Sequence, residues 1–380
     1  MLQPYQDDYT TQFRSLADMM NYHEEQAKNS LWKREEVPAL SVFPLDVSST
    51  LYASPTSFAT GVSEDAIKDT ASNLGLAIQI QGDYYPLRMT AYKGLLDRAK
   101  IGGTALPKLQ RGDLAGFINA CLKVHKSDAL LLIRDEKVSA VHSGDTTDYS
   151  VLPINELLDA LKTKLDERFT DNEFDTGYSD HSLTSAAWSL PGQRADLIGT
   201  YQKVLDAQGK TALAGKLMPG IRFSTSDTGV ASAKVSALLL GLQYPIHIGG
   251  MSAVDHRGQS KIKDFNEAID MMFAKFCDAI AHLEKLTGIY LDYPVNAMTA
   301  ICKKLSMPKK AALEAIGMFE VAYGGGTATA HDVFMAMQEI MFILKTENTP
   351  VSKLLFTEES LARALTINWS QYDYARAVSY

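Results

Sequence analysis

The amino-acid sequence predicts an α+β protein: a hairpin-rich antiparallel sheet packed with helices, followed by a mostly α-helical C-terminal region. Two observations lead to this fold class. Between residues 64 and 258, short stretches of alternating apolar and polar residues are separated by turn-forming residues, as in β-hairpins. Beyond His256-Arg257-Gly258, apolar residues recur at spacings of three and four, as on one face of a helix.

Residues 1–63 are expected to be an N-terminal appendage and linker. Polar and charged residues dominate as far as Glu36, and Val42–Val47 can form a short extended segment. Small, polar and turn-forming residues occupy positions 50–63, which is typical of a loop.

The α+β core is expected over residues 64–258. Ser63 can cap a short helix that ends near Gly75, and Leu76–Ile80 alternates like a strand before a turn at Gly82-Asp83 into Tyr84–Met89. Helical spacing predicts the helices Tyr92–Lys100, Asp113–His125, Ile154–Phe169 and Arg194–Ala207. Alternation or short apolar runs predict the strands Ala129–Arg134, Val138–His142, Phe174–Tyr178, Leu183–Leu190, Ile221–Thr225, Ala231–Leu242 and Ile246–Gly250.

Residues 259–380 are expected to form a helical C-terminal domain. Ile262, Phe265, Ile269 and Met272 begin an apolar stripe on a helix of about 25 residues, and Gly288 is a candidate for its end. Further helices are predicted at Pro294–Leu305, Lys309–Ala322, Ala330–Thr346 and Glu358–Ile367.

The composition excludes several classes of protein. The 380 residues are 46% hydrophobic and 22% charged, which argues against wholesale disorder, and the net charge of −8 argues against a uniformly basic nucleic-acid binder. Three distant cysteines without a C-x-x-C pair predict reduced thiols. The acidic N-terminus has no secretory signal pattern, and no run reaches the roughly 18 apolar residues of a membrane span, so we expect a cytoplasmic location with no membrane partner.

Charge is strongly segregated along the chain. Between Tyr85 and Arg111 there are six basic residues and one acid, a net charge of +5, interleaved with tyrosines. Basic residues neutralise phosphates and tyrosine faces stack on bases, so this segment is a candidate surface for single-stranded nucleic acid, although a solvated helix face with buried tyrosines has the same composition. The candidate contact residues of this segment are Arg88, Lys93, Arg98, Lys100, Lys108, Arg111, Tyr85 and Tyr92. Arg134 and Arg257 are added as further residues of the same groove.

Residues 145–180 carry the opposite charge. Ten acids face three basic residues, for a net charge of −7. The segment is either an ordinary solvated helix and loop or an acidic surface that meets a basic one on a neighbouring subunit.

Catalytic motifs provide little guidance. The sequence contains no P-loop, dinucleotide-binding, nucleophile-elbow or zincin motif, and no catalytic residue or cofactor is predicted. His331-Asp332 is a weak metal candidate, for which helix capping is the preferred interpretation. Asp255-His256-Arg257-Gly258 is either a metal or phosphate site or a polar turn, and Gly324-Gly325-Gly326 is either a hinge or a phosphate cradle.

Three stretches of the chain resemble the phage/plasmid-like protein family, a domain of unknown function on bacterial mobile elements. They are Leu132–Ser143, with its arginine-containing strand, Ile221–Gly229, which ends in a Ser-acid-x-Gly turn, and His247–Gly258. The resemblance covers roughly residues 70–290 and implies a mobile-element origin with no established enzyme activity. It further implies a core similar to phage single-strand annealing proteins, which form rings or filaments and hold DNA in a basic groove, although none of their defining signatures occurs here.

These observations lead to three hypotheses. The first is a non-enzymatic, homo-oligomeric protein that binds and anneals single-stranded DNA in recombination or replication of a mobile element. The second is a metal-dependent enzyme acting on nucleotides or nucleic acid, with Asp255, His256, His331 and Asp332 as candidates. The third is an inhibitor module whose acidic segment binds a host defence protein.

Overall fold

The computed structural model describes residues 3–145, 147–323 and 325–380, in which strands and helices alternate as far as Val254. The strands are β1 (Thr10–Phe13), β2 (Leu31–Glu36), β3 (Ser41–Pro44), β4 (Leu76–Ile80), β5 (Asp83–Pro86), β6 (Asp128–Arg134), β7 (Lys137–Ser143), β8 (Glu173–Asp180), β9 (Thr184–Ser189), β10 (Met218–Thr225), β11 (Ala233–Leu240), β12 (Ile246–Val254), β13 (Tyr290–Leu291) and β14 (Ala328–Thr329). The helices are α1 (Leu16–Lys28), α2 (Glu64–Ser72), α3 (Met89–Ala99), α4 (Arg111–Leu122), α5 (Ile154–Arg168), α6 (Arg194–Ala207), α7 (Thr211–Lys216), α8 (Ile262–Leu286), α9 (Pro294–Lys304), α10 (Lys309–Tyr323), α11 (Ala330–Met337), α12 (Glu339–Thr346) and α13 (Val351–Ala362). The α+β fold class, with antiparallel sheets followed by a helical C-terminal region, is confirmed.

A six-stranded antiparallel sheet forms the centre of the fold, in the order β1-β8-β9-β10-β11-β12. The hairpin β10–β11 pairs Met218 with Leu240 at its open end and Ser224 with Lys234 next to the turn. Side chains alternate between the two faces of a strand, so Ile221, Phe223 and Val235 lie on the apolar face while Arg222 and Lys234 point to the other face. Helix α13 covers that second face, where Glu358 pairs with Arg222 and Glu359 with Lys234.

Two smaller sheets have the orders β2-β6-β7 and β3-β4-β5. Residues 1–63 are not an appendage to these sheets, because they supply β1, β2 and β3, one strand to each of the three larger sheets. Each of these strands pairs with a strand more than 30 residues away in sequence, and no local pattern in the sequence reveals such a partner. The domain boundaries after residues 63 and 258 remain a prediction.

Two large apolar clusters form most of the core. One joins the six-stranded sheet to α5, α6, α8 and the C-terminal helices, with Trp188, Phe223, Phe265 and Trp369 fully buried in it. The other packs α3 and α4 on the two smaller sheets.

Two of the C-terminal predictions need correction. The helix expected over Ala330–Thr346 is divided at Gln338, whose N–H bonds to Met335 O at 3.1 Å in a tight turn. The last helix begins at Val351 and not at Glu358. In the described part of the chain, no helix combines the length and apolarity that a membrane crossing requires.

Candidate nucleic-acid interface

A cleft of about 1020 Å³ opens where α3, the end of β7, the β10–β11 turn, the segment after β12 and α13 meet. We call it the α3 cleft. The residues that line it include Lys93, Arg98, His142, Asp148, Tyr149, Asp255, Arg257 and Phe356. A cleft of this size accommodates a ligand at least as large as a nucleotide.

Helix α3 lies unusually close to β7, and Gly94 makes that approach possible. A Cβ atom at Gly94 would lie 2.2 Å from the carbonyl oxygen of Val141, a distance that real contacts do not reach. Thr90, one turn earlier, donates its hydroxyl hydrogen to Ser139 O at 2.7 Å. These contacts fix the helix that carries Lys93 and Arg98 against the floor of the cleft.

Three cations face the cleft: Lys93 and Arg98 from α3, and Arg257 from the turn after β12. Lys93 and Arg257 are exposed and Arg98 is half-buried. None of the three has an ion-pair partner within residues 3–145, 147–323 and 325–380. The Nε atom of Arg98 is buried and has no hydrogen-bond partner among the same residues.

Three acids, Asp97, Asp148 and Asp255, also line the cleft, so its charged side chains sum to zero. Two of these carboxylates accept hydrogen bonds from neighbouring hydroxyls, Asp148 from Ser143 at 2.9 Å and Asp255 from Ser232 at 2.5 Å. The three cations can therefore pair with an anionic ligand, whereas two of the acids already accept hydrogen bonds from neighbouring serines.

A column of aromatic rings forms the wall opposite α3. His142 and Tyr149 stack with their centroids 3.6 Å apart and their planes 7° apart, and His256 lies beyond Tyr149 at 5.5 Å and 10°. Trp32 lies beside this stacked pair, with its centroid 6.0 Å from those of both His142 and Tyr149. Tyr149 is only 8% exposed, so the column presents ring edges and not a free stacking face.

Hydrogen bonds determine the protonation of this column. The Nε2 atom of His142 donates to Asp227 O at 2.7 Å, and the Tyr149 hydroxyl donates to the same oxygen at 3.1 Å. The Nδ1 atom of His256 donates to Ser150 O, so its Nε2 accepts from the Thr225 hydroxyl. Burial lowers the pKa of His142 to about 4, and burial also lowers the pKa of His256. Both imidazoles are neutral near pH 7, and the wall carries no charge of its own.

Three residues predicted to contact nucleic acid are buried. Arg88 is 1% exposed and binds Asp7 at 3.4 Å together with Gln6 O and Pro4 O, and burial lowers its pKa. Tyr85 and Tyr92 are 8% and 6% exposed and belong to the core beneath α3 and α4. None of the three can reach a phosphate or a base, because their side chains are buried within the protein.

Arg134 is also not available to a ligand in the cleft. Its guanidinium binds Asp227 at 2.5 Å and Ser30 Oγ at 2.8 Å, and the side chain is 11% exposed. Asp227 thus has two functions: its carbonyl orients His142 and Tyr149, and its carboxylate neutralises Arg134.

Three further predicted residues lie near α3 but outside the cleft lining. Lys100 and Lys108 are exposed, and Lys100 ends α3 in a left-handed conformation with φ of 55°. Arg111 is half-buried, and its side chain lies against Gly75. Of the ten predicted residues, the structure brings Lys93, Arg98 and Arg257 together in the cleft.

Several residues of the cleft went unnoticed in the sequence. In the Ser226-Asp227-Thr228-Gly229 turn, Asp227 organises one wall and Thr228 lines the cleft. Phe356 lies on α13, before the predicted start of that helix at Glu358. Polar residues at these turns are visible in the sequence, but the turns are brought together by contacts between distant residues, Tyr149 with Asp227 and His256 with Ser150.

The candidate metal residues lie in two different places. Asp255 and His256 line the α3 cleft, whereas His331 and Asp332 line a separate cavity of about 540 Å³. Asp332 forms a capping box with Thr329 at the start of α11, which confirms the helix-capping interpretation. Among the described residues, no group of three or more His, Cys, Asp or Glu side chains can hold a metal ion.

The other candidates are dispersed. Cys277 is exposed, Cys121 half-buried and Cys302 buried, and all three are free thiols. The acidic residues of 145–180 divide between the cleft, the surface of α5 and strand β8. Gly324 lies outside the described residues, and Gly325 has a φ of 82°.

No family model, curated protein or solved structure matches this chain.

Proposed function

We propose that this protein binds single-stranded DNA in the α3 cleft and acts on it without catalysing a reaction. The observation that carries the proposal is the presence of three cations, Lys93, Arg98 and Arg257, that face one cleft without an anionic partner among the described residues.

The three cations favour a ligand that places about three phosphate groups against the cleft. With three phosphates neutralised, the logarithm of the affinity should fall with the logarithm of salt concentration with a slope of about −2, at roughly −0.7 per phosphate for a single strand. Asp97, Asp148 and Asp255 make the cleft neutral overall, so non-specific attraction from a distance is weak.

Apolar groups at the rim of the cleft supply the contacts to bases. Met89, Val230 and Phe356 line the cleft and are 49%, 44% and 36% exposed. We assign base stacking to Phe356, which takes the role that Tyr85 and Tyr92 cannot fill. Such a contact contributes about 1–3 kcal/mol per base.

The test compares cations inside and outside the cleft. Fluorescence anisotropy with a labelled oligo(dT) at low ionic strength should show salt-sensitive binding, and Lys93→Ala with Arg98→Ala and Arg257→Ala should abolish most of it. Lys100→Ala with Lys108→Ala removes two exposed lysines of the same basic segment and should leave the affinity nearly unchanged. Absence of salt-sensitive binding by the wild type, or equal losses in the two sets of variants, would refute the proposal.

Strand annealing, a homo-oligomeric ring or filament, and a role in recombination or replication of a mobile element extend the same proposal. An assembly that repeats the cleft would bind one strand at several sites, and would therefore bind it more tightly than a single cleft can. Electron micrographs with and without a single-stranded oligonucleotide test this extension, which predicts rings or filaments in at least one of the two samples. Discrete single copies in both would contradict it.

A further inference from the structure

The cavity that His331 and Asp332 line, with its volume of about 540 Å³, is separate from the α3 cleft. Residues of α7, α10, α11, α12 and the connection between β11 and β12 surround it, and we call it the α10 cavity. Sites for small organic molecules have volumes of roughly 300–1,000 Å³. The cavity and the cleft share no lining residue, so a ligand of the cavity does not depend on DNA binding in the cleft.

Apolar side chains make up most of the lining, and solvent reaches several of them. Met318 and Tyr323 of α10 are 47% and 38% exposed, and Leu213, Met335 and Phe342 are half-buried. Each Å² of apolar surface that a ligand covers contributes about 25 cal/mol to binding. Methionine side chains also adapt to ligands of different shape. The lining therefore favours a ligand with a substantial apolar part.

The charged side chains of the lining are one cation and two acids. The cation, Lys210, binds the carboxylate of Asp332 at 2.6 Å. That carboxylate also accepts two hydrogen bonds from Thr329, from its N–H at 3.1 Å and from its hydroxyl at 2.6 Å, in the capping box of α11. Lys210 and Asp332 thus neutralise each other at the start of a helix and leave no net charge for a ligand.

The histidine of the lining adds no charge either. The ring of His331 is fully buried, with its Nε2 atom 2.6 Å from the Tyr201 hydroxyl and its Nδ1 atom 3.5 Å from Lys210 Nζ. An ammonium group has hydrogens and no lone pair, so Nδ1 accepts and the ring proton lies on Nε2. Burial lowers the pKa of His331 to about 4, which keeps the ring neutral near pH 7.

The unbalanced charge of the cavity is that of Glu339. This residue is the first of α12, its side chain is half-buried, and it has no ion pair or hydrogen bond to another side chain in the part of the chain that the structure describes. Lys345 lies nearby but outside the lining, with its Nζ 5.0 Å from the ring centroid of Tyr244, and solvent screens this exposed cation. The lining therefore carries a net charge of −1 in apolar surroundings, which favours a cation.

We propose that the α10 cavity binds a small cationic amphiphile, a molecule with an apolar body and one ammonium group. The ammonium group pairs with Glu339, and the apolar body packs against Met318, Met335 and Phe342. A neutral molecule of the same shape leaves the carboxylate without a partner, and an anionic one is repelled by it.

The experiment is isothermal titration of the full chain with three probes that share one apolar body. Near pH 7 phenylbutylamine is a cation, phenylbutanol is neutral and phenylbutyrate is an anion. We expect saturable binding of the amine at one site, at least tenfold weaker binding of the alcohol, and the weakest binding by the carboxylate. Equal affinities, tightest binding of the carboxylate, or no binding of the amine would overturn the proposal.

A variant of Glu339 tests the charge. Glu339→Gln keeps the shape of the side chain, so it should lower the affinity for the amine to that for the alcohol and leave the affinity for the alcohol unchanged. Glu320→Gln replaces an exposed acid of α10 that does not line the cavity and should bind like the wild type. An undiminished preference for the amine in Glu339→Gln would refute the assignment.

Two neighbouring positions on α10 test the location. Ala322 is exposed and lines the cavity, whereas Val321 is 86% exposed and does not line it, so neither substitution disturbs the core. Ala322→Lys places a bulky cation at the site and should weaken binding of the amine at least tenfold, while Val321→Lys should bind it nearly like the wild type. Equal affinities in these two variants would place the amine elsewhere and overturn the proposal, also if Glu339→Gln does not fold.

Discussion

Individual charged residues in this protein differ mainly in whether a partner already neutralises them. Arg88 and Lys137 are buried, and Arg134 is 11% exposed. Arg88 pairs with Asp7, Arg134 with Asp227, and Lys137 with both Asp7 and Asp69, so these cations are neutralised within the fold. Lys93 and Arg257 are exposed and lack such partners among the described residues. The same residue types thus divide, through burial and pairing alone, into cations neutralised within the fold and exposed cations to which the proposed function assigns ligand binding.

The Arg134–Asp227 pair leads to a prediction at the residue scale. Asp227→Ala leaves a guanidinium that is 11% exposed without its counter-charge, and breaking such a buried pair costs about 3–5 kcal/mol of unfolding free energy. Urea denaturation followed by circular dichroism measures the loss. Glu64→Ala breaks an exposed pair with Lys68 and should cost less than about 1 kcal/mol. Equal, small losses in the two variants would show that Arg134 finds another acceptor.

Composition alone could not separate these groups of residues. The basic segment from Tyr85 to Arg111 contains exposed cations, but Arg88, Tyr85 and Tyr92 are buried by contacts with the N-terminus and with the core. The Arg88 contacts lie more than 80 residues away in sequence, and nothing local signals them. The sequence shows which positions of one element are buried and which are exposed, but it does not show which distant segment covers the buried face.

At the scale of elements, the local signals were reliable where the spacing of apolar residues is regular. Arg194–Ala207 and Leu76–Ile80 were predicted with the bounds that the structure gives, and Ile154–Arg168 differs by one residue. Helix α1 was missed, because its first residues follow a capping Ser15 in a segment whose polar composition suggested a linker. Its buried residues are Met19, His23 and Gln26, so two of the three side chains on the buried face are polar.

The close approach of α3 to β7 leads to a prediction at this scale. Gly94→Ala places a Cβ atom 2.2 Å from Val141 O, so α3 must move away from the sheet. We expect a loss of about 1–3 kcal/mol in unfolding free energy together with weaker oligonucleotide binding, because Lys93 and Arg98 move with the helix. Thermal unfolding and anisotropy measure the two effects.

Gly116→Ala in α4 is the matched control for this prediction. Nothing lies within 4 Å of a Cβ atom at Gly116, so alanine should stabilise the helix by about 0.4–1 kcal/mol and leave binding unchanged. A Gly94→Ala variant as stable as the wild type would show that α3 can shift without cost.

At the scale of the whole molecule, the N-terminal residues hold distant parts of the chain together. Asp7 contacts Arg88 at 3.4 Å and Lys137 at 3.0 Å, and Gln6 O accepts a hydrogen bond from His181 at 2.6 Å. Strand β1 pairs with β8 at the edge of the six-stranded sheet. The fold class was predictable because it depends on local patterns, while the placement of residues 1–63 depends on pairings between segments far apart in sequence.

Buried histidines couple the stability of the whole molecule to pH. Burial lowers the pKa of six of the eight histidines, to about 4 for two of them and to about 2 or 3 for three others. The six are His23, His142, His181, His247, His256 and His331. In the unfolded chain each has a pKa near 6.5, so the unfolded state takes up protons that the folded state excludes.

The sign of the effect follows directly from this difference. Between about pH 6.5 and pH 4 the unfolded chain binds more protons, so the free energy of unfolding falls as the pH is lowered, by up to about 1.4 kcal/mol per pH unit for each such histidine. Urea unfolding at a series of pH values should therefore show a steep loss of stability that begins above pH 6, before most carboxylates of the unfolded chain titrate.

His331→Gln should reduce the slope by about one proton, and His282→Gln, at an exposed position, should leave it unchanged. A free energy of unfolding that is flat between pH 7 and pH 5 would mean that the buried histidines accept protons without unfolding, and that the hydrogen bonds to Asp227 and Tyr201 adapt to the charged ring.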